Sequence, residues 1–249
     1  MTLSTATTSI NNPGLQDIPP VICDVQTSLT ELRRHPLFQH LTDSDFNNLA
    51  TRIRVIDMDR HELLYRQDTD ASHFYFVVDG RLRLYRLDYS GYERTLDSIG
   101  PGDCLAEVMI YAMPARYACY AESLKRTRVL SIPIRAYRLL IQSNPTYTEI
   151  ALTHYASRAV SRFHDLEIMT IQSARDRLIR YLLNLLPADT KPDGEIELPL
   201  PKCLIASRLA MQPETFSRIL AELKANGLIR VNRSKLYVSD PQRLKEIGQ

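Results

Sequence analysis

The stretch Leu200–Tyr237, LPKCLIASRLAMQPETFSRILAELKANGLIRVNRSKLY, decides how the rest of the chain is read. Between Lys202 and Leu209, the residues Leu204, Ile205 and Leu209 fall at helical spacing, giving a short helix with one apolar face. Ala210 and Met211 break it. Gln212-Pro213 opens a second helix, because proline loses no hydrogen bond in the first turn and its fixed φ suits that position. Glu214 complements the positive end of the helix dipole. Phe216, Ile219, Leu220 and Leu223 then form one stripe, with Glu214, Thr215, Ser217, Arg218 and Ala221 on or near the opposite face. Asn226-Gly227 ends the helix as a left-handed cap would. Leu228 to Val231 and Leu236 to Val238 read as short strands about Asn232-Arg233-Ser234. Two short helices, a minimal turn between them and a β-hairpin after them make a winged helix-turn-helix, whose second helix fits the major groove of double-stranded DNA.

The run Gln212-Pro213-Glu214-Thr215-Phe216-Ser217-Arg218 resembles the recognition helix of the Crp/Fnr transcription regulators, and its E-x-x-S-R pattern is similar to the Fnr and Dnr branches. That resemblance implies that Glu214, Ser217 and Arg218 contact base edges in a TTGAT-like half-site, with Gln212 and Thr215 beside them. Physical chemistry points the same way: arginine offers a bidentate fork to guanine O6 and N7, and glutamate accepts from cytosine N4. Lys202 and Arg208 on the first helix are the expected phosphate contacts.

At 249 residues the chain is long enough for two domains. Its net charge of +2 is unevenly spread: from Ser173 to Gln249 there are 13 Lys and Arg against 9 Asp and Glu, so the excess lies in the half that should approach phosphates. No run of eighteen apolar residues occurs, and the opening MTLSTATTSINNPGLQDIPP has neither a basic nor an apolar signal region, so a cytoplasmic protein away from membranes is expected. Cys23, Cys104, Cys119 and Cys203 are far apart and form no C-x-x-C pair; packing thiols are expected. Gly-x-Ser-x-Gly, His-Glu-x-x-His and the phosphate-binding loop motif are all absent, and no enzyme is expected.

Residues 1–27, rich in Ser, Thr, Asn and Pro, read as a flexible lead-in. Short helices follow at Leu29 to Leu37 and Asp43 to Arg52. From Val55 to about Ile132 the period switches to two, with strands at His61–Tyr65, Phe74–Val78, Leu82–Leu87 and Thr127–Ile132 and turns at Asp79-Gly80, Ser90-Gly91 and Gly100-Pro101-Gly102-Asp103. This spacing predicts a β-roll or jelly roll over residues 28–143, and the pattern from Val77 to Tyr85 is similar to the cyclic-nucleotide-binding-type sensor of the same family. A long helix fills 144–172, where Leu152, Ala156, Ala159, Phe163, Leu166 and Thr170 alternate four and three apart like a coiled-coil seam. In the resembled family this helix joins two copies into a homodimer. The DNA-binding domain then occupies 173–249, with Gln172-Ser173 as hinge. The fold class is α+β: an N-terminal β-roll, a long dimerisation helix and a C-terminal winged helix-turn-helix.

The effector is read from departures. Cyclic-nucleotide-binding relatives carry an Arg-Ser pair ten and eleven residues after a glutamate that holds the ribose. Here Glu107 is retained, but those positions are Tyr117 and Ala118, Arg116 is one step out of phase, and Met109 is bulky. Cyclic nucleotide is therefore not the expected effector. An iron–sulfur cluster is not expected either, because four thiolates cannot be assembled from these cysteines. The resemblance to the Dnr/Nnr branch implies haem and a response to nitric oxide, with His35 and His154 as ligand candidates among His35, His40, His61, His73, His154 and His164. Glu107, Met109, Tyr117 and His154 are the expected effector contacts. The resemblance also implies an activator that touches RNA polymerase. The alternatives left open are a regulator answering a cyclic nucleotide or another small molecule, and an adaptor that binds no DNA.

Overall fold

The computed structural model describes residues 22–170, 173–186, 194–232 and 235–247, without the side chains of 22–24, 164 and 165. Two helices lead in, α1 (Ile22–Arg34) and α2 (Asp43–Ala50). Thr42 caps α2 by accepting the Asp45 N–H at 3.2 Å. The expected lead-in through residue 27 is too long: no glycine or proline interrupts the chain from Val21 to His35, so the helical period of Leu29 and Leu32 extends upstream to Ile22, just after Pro19-Pro20.

Eight strands follow: β1 (Arg54–Met58), β2 (Leu63–Tyr65), β3 (His73–Asp79), β4 (Leu82–Leu87), β5 (Glu93–Ile99), β6 (Cys104–Leu105), β7 (Tyr120–Ser123) and β8 (Thr127–Pro133). They form two antiparallel sheets, β1-β8-β3-β6 and β2-β7-β4-β5, facing each other over one core as a jelly-roll sandwich. Phe74, Phe76, Val77, Leu82, Leu105, Val129, Leu130 and Ile132 are fully buried; Phe74, Phe76, Leu130 and Ile132 share one face of their sheet, where Phe74 packs on Phe38 and Tyr137, and Val77 and Val129 share the other. Asp79-Gly80 is not a hairpin turn, since β3 and β4 belong to different sheets. Gly80, at φ +94°, lies so close to Thr127 that a Cβ would come within 2.4 Å of its Cα. Ser90-Gly91 does close a hairpin, where the Asp88 carboxylate accepts the N–H groups of Ser90 and Tyr92, each at 2.9 Å.

After the sandwich come α3 (Ile134–Gln142), the 26-residue α4 (Pro145–Thr170) and α5 (Ala174–Leu185). The remainder is β9 (Gly194–Glu197), α6 (Lys202–Arg208), α7 (Pro213–Ala225), β10 (Ile229–Asn232), β11 (Lys235–Val238) and α8 (Pro241–Ile247). The wing is a three-stranded sheet, β10-β11-β9, with Ile196 opposite Leu236. A second core, including Leu178, Leu182, Ile205, Phe216, Leu223 and Leu236, lies beneath it. Of the expected turn Asn232-Arg233-Ser234, Arg233 and Ser234 fall outside the described residues, as do Gln172 of the hinge and most of the loop before β9. Among the described residues, no helix is long and apolar enough to cross a membrane.

Candidate nucleic-acid interface and effector region

The recognition helix α7 is built as its residue types require. Gln212 is its N-cap, Pro213 opens the first turn, and Phe216, Ile219, Leu220 and Leu223 are buried. Gly227, at φ +70°, ends it: Gly227 and Leu228 donate to the carbonyls of Lys224 and Leu223, both at 3.0 Å. Gln212, Glu214, Ser217 and Arg218 are exposed on the outer face, and the last three make no hydrogen bond or ion pair among the described residues. Thr215 is half-buried and contributes only its edge to that face.

The turn between α6 and α7 is held from behind. Ala210 is left-handed at φ +50°, and Met211 N–H returns to the Ala206 carbonyl at 3.0 Å. Arg177 of α5 donates Nε to the Leu209 carbonyl at 2.9 Å and a terminal nitrogen to Ala210 at 3.2 Å, fixing the angle at which α7 leaves.

Lys202, at the start of α6, is exposed as a phosphate contact should be. Arg208 is not. Its guanidinium meets the Asp97 carboxylate of β5 at 2.7 Å and lies over the Tyr181 ring. The same carboxylate receives Arg162 of α4 through its other oxygen. Beside this pair, Thr95 N–H donates to Ser207 Oγ at 3.0 Å, so α6 caps the outer edge of β5. The expected phosphate role of Arg208 is therefore corrected for this arrangement: a half-buried carboxylate on another domain satisfies the charge more strongly than solvent would.

Helix α4 has an exposed side and a side that faces the sandwich. Leu152, Ala156, Ala159, Phe163, Leu166 and Thr170, the seam read from the sequence, are all exposed. One residue away, about 100° around the helix, Ala151, Tyr155, Arg158 and Arg162 face the sandwich. Arg158 pairs with Glu107 at 3.1 Å, and Tyr155 donates to the Glu107 carbonyl at 3.2 Å. Glu107 begins a short 3-10 helix (Glu107–Ile110) and is buried. Burial pushes its carboxyl above the usual range, against the pull of Arg158.

The four expected effector contacts do not enclose one pocket. Tyr117 stacks on Tyr65 with ring centres 3.9 Å apart and donates to the His73 carbonyl at 2.8 Å. Tyr75 Oη lies 3.2 Å from that of Tyr117, so the position of the missing phosphate ligand belongs to a packed tyrosine cluster. Arg116, one step out of phase, points outward to Asp70 at 3.4 Å. Glu107 is taken by Arg158, and Met109 packs at the rim of the sandwich core. Of the four, His154 lines a cavity of about 420 Å³ together with Pro36, Gln39, His40 and Glu149.

His35 and His154 do come together, with ring centres 5.2 Å apart. Burial first, then the charge it would share with His154 and Arg158, lowers His35 to about 4; burial and Arg158 lower His154. Both are neutral imidazoles at pH 7, the form that binds iron. The space does not suit a haem held between them. The His35 ring also packs 5.9 Å from Phe38 and from Phe76, and its Nδ1 accepts the Leu37 N–H at 3.2 Å. His154 alone presents a buried nitrogen, Nε2, without a hydrogen-bond partner. Among the described residues, no group of three His, Cys, Asp or Glu side chains could hold a metal ion.

Sequence reasoning missed Arg158, Arg162, Ser207 and Asp97. Arg158 and Arg162 left a signal only as basic residues four apart on α4, which a search for apolar periodicity passes over, and Ser207 and Asp97 left none.

Two family models match, and together they cover well over half of the chain: the Crp-like helix-turn-helix domain over residues 176–247 and the cyclic nucleotide-binding domain over 55–144. A cyclic AMP receptor protein of Thermus thermophilus is 25% identical over 217 residues, which cover 87% of this chain and 98% of that one. Two solved structures share the fold. A CooA mutant from Carboxydothermus hydrogenoformans has a TM-score of 0.67 at 23% identity, covering 80% of this chain and 89% of its own. FixK2 from Bradyrhizobium japonicum has 0.67 at 20%, covering 78% and 96%.

Proposed function

Since the chain belongs to the Crp/Fnr family of DNA-binding transcription regulators and is not an enzyme, we propose that it binds a TTGAT-like palindrome as a homodimer and activates transcription in response to an effector sensed by the sandwich. The carrying observation is the outer face of α7, where Glu214, Ser217 and Arg218 stand exposed and uncommitted over a fully buried stripe. The exposed seam of α4 supports pairing with a second copy, which would set two recognition helices about one DNA turn, roughly 34 Å, apart. Contact with RNA polymerase is the family's route to activation and belongs to this reading.

In the dimer, Arg218 would read guanine, Glu214 would accept from cytosine, and Lys202 would hold a phosphate. Arg158 and Arg162 tie the dimer helix to the sandwich through Glu107 and Asp97. A change in the sandwich would therefore shift α4, and with it both α7 helices, by as much as the effector prefers one arrangement over the other.

The test is a gel shift on a TTGAT palindrome with a salt series. Arg218→Ala should weaken binding by about 1–3 kcal/mol per half-site and relax the preference for guanine. Unchanged sequence preference would overturn the assignment of α7. A second reading, nitric oxide sensing through haem, is favoured by His154, which lines the 420 Å³ cavity and whose buried Nε2 has no hydrogen-bond partner. Titration with haem should then give a Soret band displaced from that of free haem and displaced again by nitric oxide, and His154→Ala should return it to the free position; failure to retain haem would end it.

A further inference from the structure

A second cavity, of about 580 Å³, lies where the sandwich, α4, α5 and α6 meet, within the size range of small-molecule sites. Its wall carries three guanidiniums, Arg81, Arg180 and Arg208, against one carboxylate, Glu167. Asp97 already holds Arg208 and the Asp103 carboxylate feels the charge of Arg81, but among the described residues neither Arg81 nor Arg180 is in a direct ion pair.

Arg81 is placed there by the fold. Its N–H donates to Thr127 Oγ1 at 3.1 Å and its carbonyl accepts Leu124 N–H at 2.9 Å, so the backbone is pinned on both sides. Its side chain lies over Gly100, where a Cβ would come within 3.0 Å of the guanidinium, and it reaches Ser98 Oγ at 3.5 Å. With Arg208 held by Asp97, Arg81 and Arg180 are the two guanidiniums left with hydrogen-bonding capacity toward the cavity, and guanidinium forks match the oxygens of a phosphate. The remaining lining suits the body of an ester: Ser98, Ser161 and Asn184 offer hydrogen bonds to hydroxyls, and Ile168 and Leu185 give an apolar floor.

We propose that this interdomain cavity binds a small organic phosphate monoester, of the size of a sugar phosphate or a nucleoside monophosphate. Its walls come from both domains and from the helix between them, so the ligand favours the docked arrangement over any in which they separate. The site is distinct from the tyrosine-filled position in the sandwich and does not rest on the DNA-binding reading.

The experiment uses the full chain without DNA. Calorimetric titration and thermal melting are run with adenosine 5′-monophosphate and glucose 6-phosphate, against inorganic phosphate, citrate and potassium chloride at matched ionic strength. The expected result is saturable binding of at least one ester, one per chain, detectable at about 1 mM, with a rise in Tm that potassium chloride does not reproduce. Arg81→Ala and Arg180→Ala should each weaken it by roughly tenfold or more. Arg180 is exposed on α5, so its variant keeps the fold and decides the matter should Arg81→Ala misfold. Binding left intact in Arg180→Ala, equal binding of citrate, or no ester binding at all would overturn the proposal. None of these outcomes bears on the gel shift, so the two readings can fail separately.

Discussion

The contact between α6 and β5 can be broken by a single atom-for-atom change, Asp97→Asn. The carboxylate is 13% exposed and holds Arg208, itself 16% exposed, at 2.7 Å, together with Arg162, which is 46% exposed. Asparagine keeps an acceptor for one of them but removes the charge. A hydrogen bond to a charged group contributes about 1.5–3 kcal/mol when shielded, and a half-exposed pair adds only a few tenths. The expected loss is therefore about 2 kcal/mol of docking free energy, close to a 30-fold increase in the undocked population. The Thr95 amide reports it directly, because its hydrogen bond crosses the contact to Ser207 Oγ. In native-state hydrogen exchange, Thr95 should lose protection by about 30-fold. The Phe76 amide, in the middle of β3 and bonded within its own sheet, should be unchanged. Equal protection of Thr95 in the variant and the parent would show that this ion pair does not hold the domains together.

Three further outcomes follow from other parts of the molecule. Phe163→Glu puts a charge in the middle of the exposed seam of α4; sedimentation should show a monomer, with association weakened by more than about a hundredfold, while helical content stays the same because Phe163 touches little of its own chain. Ala210→Gly relieves a left-handed alanine, a gain of about 1–2 kcal/mol partly offset by the freedom glycine adds to the unfolded chain. A rise in Tm of about 1–3 °C is expected, and a fall would show that φ +50° is not strained here. His35 is lowered from 6.5 to about 4, so between those values the unfolded chain binds the extra proton. Its contribution is complete above pH 6.5 and is lost as pH falls toward 4, by roughly 3 kcal/mol in all. Urea melts across that range should show the decline, and His35→Gln should flatten it.

How legible the molecule was in its sequence depended on whether a residue's role left a period. The stripe Phe216-Ile219-Leu220-Leu223 and its four buried side chains agree in full, because a helix that covers a core must repeat its apolar residues. The α4 seam also left a period, but its residues are exposed and cover no core of this chain. Strand β5, Glu93–Ile99, was not: it lies at a sheet edge, and only Thr95 and Ile99 are buried, so no alternation marks it. Helix α3 was missed although Ile134, Tyr137 and Ile141 have helical spacing, since the apolar run of β8 passes into it through Pro133 without a break. The Arg208–Asp97 pair was not legible, because a basic residue on a DNA-binding helix looks the same in sequence whether it meets a phosphate or an aspartate of another domain. In the sensing region, the loss of the phosphate ligand could be read from Tyr117 and Ala118. The tyrosine cluster that replaces it depends on Tyr65 and Tyr75, brought there from distant strands.

The capping of β5 by α6 also bears on how the chain can be divided. A fragment ending with α4 would leave the Thr95 amide and its strand edge facing water, with Leu87 and Leu96 already exposed beside it. Such an edge is a template for pairing with the same edge on another molecule. The isolated sensor would tend to associate strand to strand, so a self-assembly seen with that fragment would be a product of the cut and no guide to how the intact chain pairs.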